Sequence, residues 1–371
     1  MSADTESTSQ GSTDRPRILV VGAGGIGGVL AGTLLAAGHQ VEVLCRGAAT
    51  ANAIEAHGFR LRGSNTPGTV PTHEVVIRRP ENARGPYDYV LLATQPTDVE
   101  QAARSTAALL GPEGRMVCLQ NGLCELRVAE VVGRERTLGA VVSWGASALE
   151  PGVFERTSSG GFTLGSLAGP LEPSVERLAP ILEAAGRVKL TENLLGARWS
   201  KLAINCAISS IGTLGRNRLG ALMRHRFVRR LALEVMSEVV AVARQEGVEL
   251  EVVSGTLDLE WLALTPRERR VRGSKGLLAK HAVLLAVGAR YRRLRSSMLR
   301  AIERGQAPAV DFLNGEVVAR AGDVPTPINA ELQACIHALA RGELAGGLDD
   351  LRALYARTRD RVRAEPVGAC A

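Results

Sequence analysis

A chain of 371 residues is too long for one compact core and suits two domains. Hydrophobic residues make up 45% and charged residues 22%, the balance of a soluble globular protein, and no run of 18 apolar residues offers a membrane span. The net charge of +7 comes from spread-out arginines with only 3% aromatics beside them, which argues against a nucleic-acid surface and suits small anionic ligands.

Residues 1–14 are polar and Ser/Thr-rich, with no apolar core of a signal peptide, and read as a disordered tail. Cysteines 45, 118, 124, 206, 335 and 370 form no Cys-x-x-Cys and no metal-ligand spacing with histidine. They read as free thiols in a cytoplasmic, reducing compartment, with no metal site.

The apolar run Arg17–Val21 leads straight into Gly22-Ala23-Gly24-Gly25-Ile26-Gly27 and then into a helical pattern. Strand, Gly-x-Gly-x-x-Gly and helix in that order are what a dinucleotide-binding turn needs. Gly22 permits the tight turn, Gly24 lets a pyrophosphate approach the backbone, and Gly27 lets helix and sheet pack closely. The free N–H groups of the helix start, at Gly25 and Ile26, face the phosphates. Gly38 stops this helix, and Gln40–Cys45 reads as the second parallel strand. It ends in Arg46 rather than in the Asp or Glu that would hold a ribose 2′-hydroxyl. Arg46 suits a 2′-phosphate, so the reading is NADPH over NADH.

Further along, a helix at 49–57 is stopped by Gly58, and short strands follow at 72–78 and 87–94. A helix at 97–110 precedes a strand at 115–120, which ends at Asn121-Gly122. Residues 137–147 read as one strand, 152–157 and 161–167 as a hairpin, 173–185 as a helix and 188–190 as a strand. This alternation argues an α/β fold with a doubly wound Rossmann sheet over residues 15–192. From 193 to 365 long helical patterns take over, at 194–213, 224–246, 250–262, 273–303, 308–321 and 328–342. In the first of them Lys201 and Asn205 stand at i and i+4 on one face of a mostly apolar helix, where polar groups need polar partners.

Several segments together resemble the ketopantoate reductase (2-dehydropantoate 2-reductase) family. They are Gly22–Gly27, Leu119-Gln120-Asn121-Gly122-Leu123, Trp199–Asn205, Ser296-Ser297-Met298-Leu299 and Val310-Asp311-Phe312-Leu313-Asn314-Gly315. The resemblance runs from about residue 17 to 340. It implies a Rossmann domain joined to an all-helical domain like the C-terminal part of 6-phosphogluconate dehydrogenase, with the site between them. It also implies an oxidoreductase in which NADPH reduces a 2-keto acid to a 2-hydroxy acid in pantothenate biosynthesis, and a homodimer. By position Lys201 matches the catalytic general acid, and Asn121 the asparagine beside nicotinamide and substrate. Asn205, Ser209 and Ser297 match substrate-binding positions, and Arg46 and Gln95 fall along the cofactor.

Three positions depart from the family pattern. Gln95 replaces a frequent lysine, Ala309 a substrate-binding glutamate, and Ser209 an asparagine. Loss of a buried carboxylate removes a strong acceptor for a substrate hydroxyl and favours a more apolar 2-keto acid than ketopantoate. Two alternatives stand beside this reading: a β-hydroxy-acid or imine-type reductase on the same plan, and a catalytically silent NADPH-binding regulator. The basic clusters at 266–272 and 290–295 read as a solvated face, a frame for a larger substrate or a subunit contact.

Overall fold

The computed structural model describes residues 15–72, 74–252, 257–271 and 273–364; the polar stretch 1–14 and Cys370 lie outside them. The strands are β1 (Arg17–Val21), β2 (Gln40–Leu44), β3 (Phe59–Gly63), β4 (Thr69–Val70), β5 (Val76–Ile77) and β6 (Tyr87–Leu92). They continue with β7 (Leu110–Cys118), β8 (Thr137–Val142), β9 (Ala146–Glu150), β10 (Val153–Arg156), β11 (Phe162–Ser166) and β12 (Val188–Leu190). The helices of this half are α1 (Gly25–Ala36), α2 (Ala48–His57), α3 (Val99–Thr106), α4 (Cys124–Val132) and α5 (Pro173–Glu183). Eight strands form one sheet in the order β12-β11-β8-β7-β6-β1-β2-β5. From β5 through β8 every neighbouring pair is parallel; β11 runs antiparallel to β8, and β12 parallel to β11. This is a doubly wound Rossmann-like sheet, and ligands of such sheets bind outside the carboxyl ends of the strands.

The remaining strands form a second sheet, β4-β3-β10-β9, on the far side of α1. Covered on both sides, α1 needs no polar face, which explains its nearly all-apolar, glycine-rich sequence. Gly25, Gly28 and Gly32 line the face turned to the small sheet. A Cβ on Gly25 would lie 2.8 Å from the backbone of Ala146 and Ser147, and one on Gly28 would enter the Phe154 ring. Phe59 and Phe154 stack across the same layer with ring centroids 5.8 Å apart, and both are fully buried. Burial of each contributes on the order of 2–3 kcal/mol.

This second sheet corrects the hairpin reading. Residues 153–156 and 162–166 belong to different sheets, and residues 137–147 are not one strand but the whole of β8 followed by the start of β9. The strand at 72–78 shrinks to Val76–Ile77, while Thr69–Val70 pairs with β3.

From Leu194 onward the described elements are helical: α6 (Leu194–Leu214), α7 (Leu219–Met223), α8 (Arg226–Gln245), α9 (Leu259–Leu262), α10 (Pro266–Arg270) and α11 (Lys275–Arg290). It ends with α12 (Ser297–Glu303), α13 (Asn314–Ala319), α14 (Pro327–Ala340) and α15 (Leu348–Ala364). The long pattern at 273–303 is two helices, broken at residues 291–296. The helix read at 250–262 is only the short α9, with residues 253–256 outside the described ones. α15 went unread because only Leu351 and Leu354 are its fully buried apolar anchors. On α11 the outward face is apolar rather than charged: Leu278 is 73% and Leu285 45% exposed.

Candidate active site

Three loops at the carboxyl ends of adjacent strands make the floor of the site. Gly22 follows β1 with φ +103°, a conformation that L side chains rarely adopt, and its N–H donates to the Leu44 carbonyl at 2.9 Å. A Cβ on Gly27 would collide with the Gly22 carbonyl, so the turn closes only with glycine there. A Cβ on Gly24 would meet nothing within 4 Å, so the backbone here faces open space at the start of α1. Such a cradle of free N–H groups fits a diphosphate. Gly25 has a different reason to be glycine, the close approach of the small sheet. After β6, Thr94 accepts a hydrogen bond from the Gln120 side chain at 3.2 Å, which ties the second loop to the third. Gln95 is exposed beside it. After β7 comes Asn121, exposed at the strand end. The next residue, Gly122, has φ +93°, and a Cβ there would lie 2.5 Å from the Phe312 carbonyl. The turn that contains Ala309 therefore packs directly against the Asn121 loop.

Arg46 stands past the end of β2, about two-thirds exposed, with a 3.4 Å contact to Asp98. Arg46, Arg78, Arg79 and Asn82 rim a shallow surface depression. Arg78 is already engaged by Glu55 at 2.6 Å, whereas Arg46 is held only by its longer, exposed contact to Asp98.

The opposite wall is α6. Asn193 caps it, accepting from the Gly196 N–H at 2.9 Å. Five residues on, Arg198 is 2% exposed and holds the helix to the sheet. It donates to the carbonyls of Gln120 (2.7 Å) and Cys118 (2.8 Å) and pairs with Glu125, itself 1% exposed. Lys201, Asn205 and Ser209 follow Arg198 at i+3, i+7 and i+11, so all four share one helix face. That face is anchored next to Asn121. The Lys201 ammonium is largely buried and has no hydrogen-bond or ion-pair partner among the described residues. Burial, with the nearby Arg198 guanidinium, holds it below the ordinary lysine value of 10.5. The Asn205 amide nitrogen is buried and likewise without a partner. Unmatched buried donors of this kind are expensive unless a ligand completes them.

Ser297 opens α12 and is exposed. Its neighbour Ser296 shares a 2.8 Å hydrogen bond with Thr213, so α12 begins beside the end of α6, one turn beyond Ser209. Asn314, part of the Asp-Phe-Leu-Asn-Gly motif, is instead structural. It is fully buried, accepts from Ser210, and donates to Asn329 at 2.9 Å and to the Cys206 carbonyl at 3.3 Å. Sequence reasoning missed Arg198 and Glu125. Each shares its helix with other charges, Lys201 on α6 and Arg127 and Glu130 on α4, so spacing alone does not single out the pair. Among the described residues no cluster of three His, Cys, Asp or Glu forms a cation site.

A family model described as ketopantoate reductase PanE/ApbA matches residues 18–169, and one described as ketopantoate reductase PanE/ApbA C terminal matches residues 193–340. A 2-dehydropantoate 2-reductase of Pyrococcus horikoshii is 26% identical over 337 residues, covering 89% of this chain and 99% of the relative. One of Halobacterium salinarum is 29% identical, covering 83% and 92%. The crystal structure of a PanE/ApbA family ketopantoate reductase from Ralstonia eutropha JMP134 has a TM-score of 0.72 at 27% identity, over 88% of this chain and 99% of that one. A D-mandelate dehydrogenase with NADH and anilino(oxo)acetate shares the fold at 18% identity, with a TM-score of 0.73 over 88% and 99%.

Proposed function

The chain belongs to the ketopantoate reductase family, and from that premise we propose that it reduces a 2-oxo acid to the 2-hydroxy acid with NADPH, Lys201 serving as general acid. The observation that carries the reading is the pair of unmatched donors on α6, the Lys201 ammonium and the Asn205 amide, anchored against the strand end that bears Asn121. Bound NADPH supplies the hydride. The open backbone at Gly24 and the N–H groups of Gly25 and Ile26 would hold the diphosphate, and Arg46 would take the 2′-phosphate. Asn121 would lie beside the nicotinamide and Gln95 along the cofactor. Lys201 donates a hydrogen bond to the substrate carbonyl oxygen, stabilises the charge that grows there, and gives up its proton as the alcohol forms. Asn205, Ser209 and Ser297 orient the substrate without adding charge.

The turn that packs on the Asn121 loop carries Ala309 in place of a carboxylate that would accept a substrate hydroxyl, and its one acid, Asp311, is already held by Gln333 and His337, each at 2.7 Å. Branched apolar 2-oxo acids are therefore favoured over ketopantoate. NADPH oxidation at 340 nm with both kinds of substrate tests this. Higher kcat/KM on the apolar acids is expected, and a clear preference for ketopantoate refutes that part. Cofactor binding with no turnover on any carbonyl would favour a regulator instead.

The cofactor assignment has its own test. Arg46→Ala lowers the preference for NADPH over NADH by about ten- to a hundredfold, the range of one charge-assisted hydrogen-bonded pair. The ratio of kcat/KM values for the two cofactors measures it, and an unchanged ratio removes Arg46 from the 2′-phosphate site.

A further inference from the structure

One arginine of this site is used by none of the roles above. Arg300 lies on α12 one turn after Ser297, on the same side of the helix. It is half-buried and forms no ion pair among the described residues. Its hydrogen-bond partner is neutral: Nη1 donates to Ser147 Oγ at 3.0 Å, across from the helical half to the small sheet. Ser147 is the residue whose backbone nitrogen packs 2.8 Å from where a Cβ on Gly25 would sit. The guanidinium therefore reaches from the helical half to β9, at the residue that packs on the start of α1.

Its electrostatic surroundings are lopsided. Burial, and after it the nearby Arg304 and Arg295 guanidinium groups, disfavour its charge and lower its pKa. Glu155 and Glu303 act weakly the other way, and Glu303 is already held by Arg295 at 2.5 Å. The other arginines near the floor of the site are matched. Arg198 pairs with Glu125, and Arg127 pairs with Glu316 at 2.8 Å and Glu100 at 3.3 Å. A half-buried guanidinium with a neutral partner and cationic neighbours is poorly compensated, and an oxyanion supplies what is missing.

We propose that Arg300 is an anion-binding, specificity-determining residue of this site, taking an oxyanion of a bound ligand, either the carboxylate of the oxo-acid substrate or the diphosphate of the cofactor. The assignment rests on the function proposed above. Lys201 is committed to the carbonyl oxygen, so a 2-oxo acid still needs a cation for its carboxylate. Ser297 and Arg300, one turn apart, would grip the acid end together. The same guanidinium holds Ser147, whose backbone packs against Gly25 at the edge of the diphosphate cradle.

The test compares wild type, Arg300→Gln, Arg300→Lys and Ser147→Ala by NADPH titration and by steady-state kinetics at saturating cofactor. If the carboxylate is the ligand, Arg300→Gln raises KM for the oxo acid by about ten- to a hundredfold while the Kd for NADPH stays put. If the diphosphate is the ligand, the Kd rises by that factor and KM does not. In either case Arg300→Lys recovers part of the loss, and Ser147→Ala, which removes only the neutral partner, shifts neither constant more than about twofold. The proposal is overturned if Arg300→Gln changes neither constant, or if Ser147→Ala reproduces its effect, since Arg300 would then be a strut between the two halves. Wild-type turnover is the separate check on the function itself. Should it be absent, calorimetric titration of wild type and Arg300→Gln with NADPH and with the oxo acid decides the role of Arg300 without catalysis.

Discussion

Lys201→Ala is expected to lower kcat for carbonyl reduction by about a hundredfold or more while leaving the affinity for NADPH within about twofold. The split follows from where the residue sits. Lys201 projects from α6, on the wall opposite the glycine turn, and the residues assigned to the cofactor all lie on the sheet side. Removing the ammonium leaves the developing oxyanion without its charge partner and its proton source, whereas the cradle at Gly24 is untouched. The protonation state can be read as well. Burial and Arg198 hold the Lys201 pKa below 10.5, so a larger share of the lysine is neutral at alkaline pH than an exposed lysine would be. Reduction needs the protonated form. The rate in that direction therefore falls as pH rises through the lowered value, giving an alkaline limb below pH 10.5. Lys201→Arg, whose guanidinium stays protonated, should abolish that limb even if its rate is low. Full turnover in Lys201→Ala, or an alkaline limb that survives in Lys201→Arg, would remove the lysine from the proton transfer.

The second large effect is on stability. Arg198 and Glu125 are an ion pair withdrawn from water, with exposures of 2% and 1%. Burial alone pushes the Glu125 carboxyl upward, and Arg198 works against that shift. Arg198→Leu strands the carboxylate in an apolar setting and frees two strand-end carbonyls, so it should destabilise the fold by about 3–5 kcal/mol. The double variant Arg198→Leu/Glu125→Leu removes the stranded charge and should regain part of that loss. Denaturant unfolding of the two single variants and the double variant measures the coupling. Simple additivity would mean that the two side chains do not act as a pair. The pair matters beyond stability, because Arg198 is what fastens the Lys201 face of α6 to the Asn121 loop.

Much of this protein was open to reading from local pattern. The run from Arg17 to Gly28 needs nothing beyond itself: a β-branched strand, glycines at fixed offsets and a helix start specify a dinucleotide turn wherever they occur. The change of texture near residue 193 is equally local, because helical periodicity replaces strand alternation. So is the shared face of Lys201 and Asn205, which follows from 3.6 residues per turn.

What depends on partners distant in sequence could not be read that way. Residues 153–156 and 162–166 look like a hairpin because they are neighbours in the chain. β10 instead pairs with β3, some ninety residues earlier, because α1 must be covered on its second side. Gly25 and Gly28 stand next to the motif glycines Gly24 and Gly27, and in the fold their lack of a side chain admits Ser147 and Phe154. Asn314 looks like part of a binding motif and turns out to hold α13 to α6 and α14. Sequence by itself determined the strand, the turn and the helix faces, because each rests on spacing within a few residues. Only the tertiary structure decided which buried charges are matched and which are not. Pairing Arg198 with Glu125, and leaving Lys201 and Arg300 without an anionic partner among the described residues, is a matter of three-dimensional proximity in a medium where an unmet charge is costly.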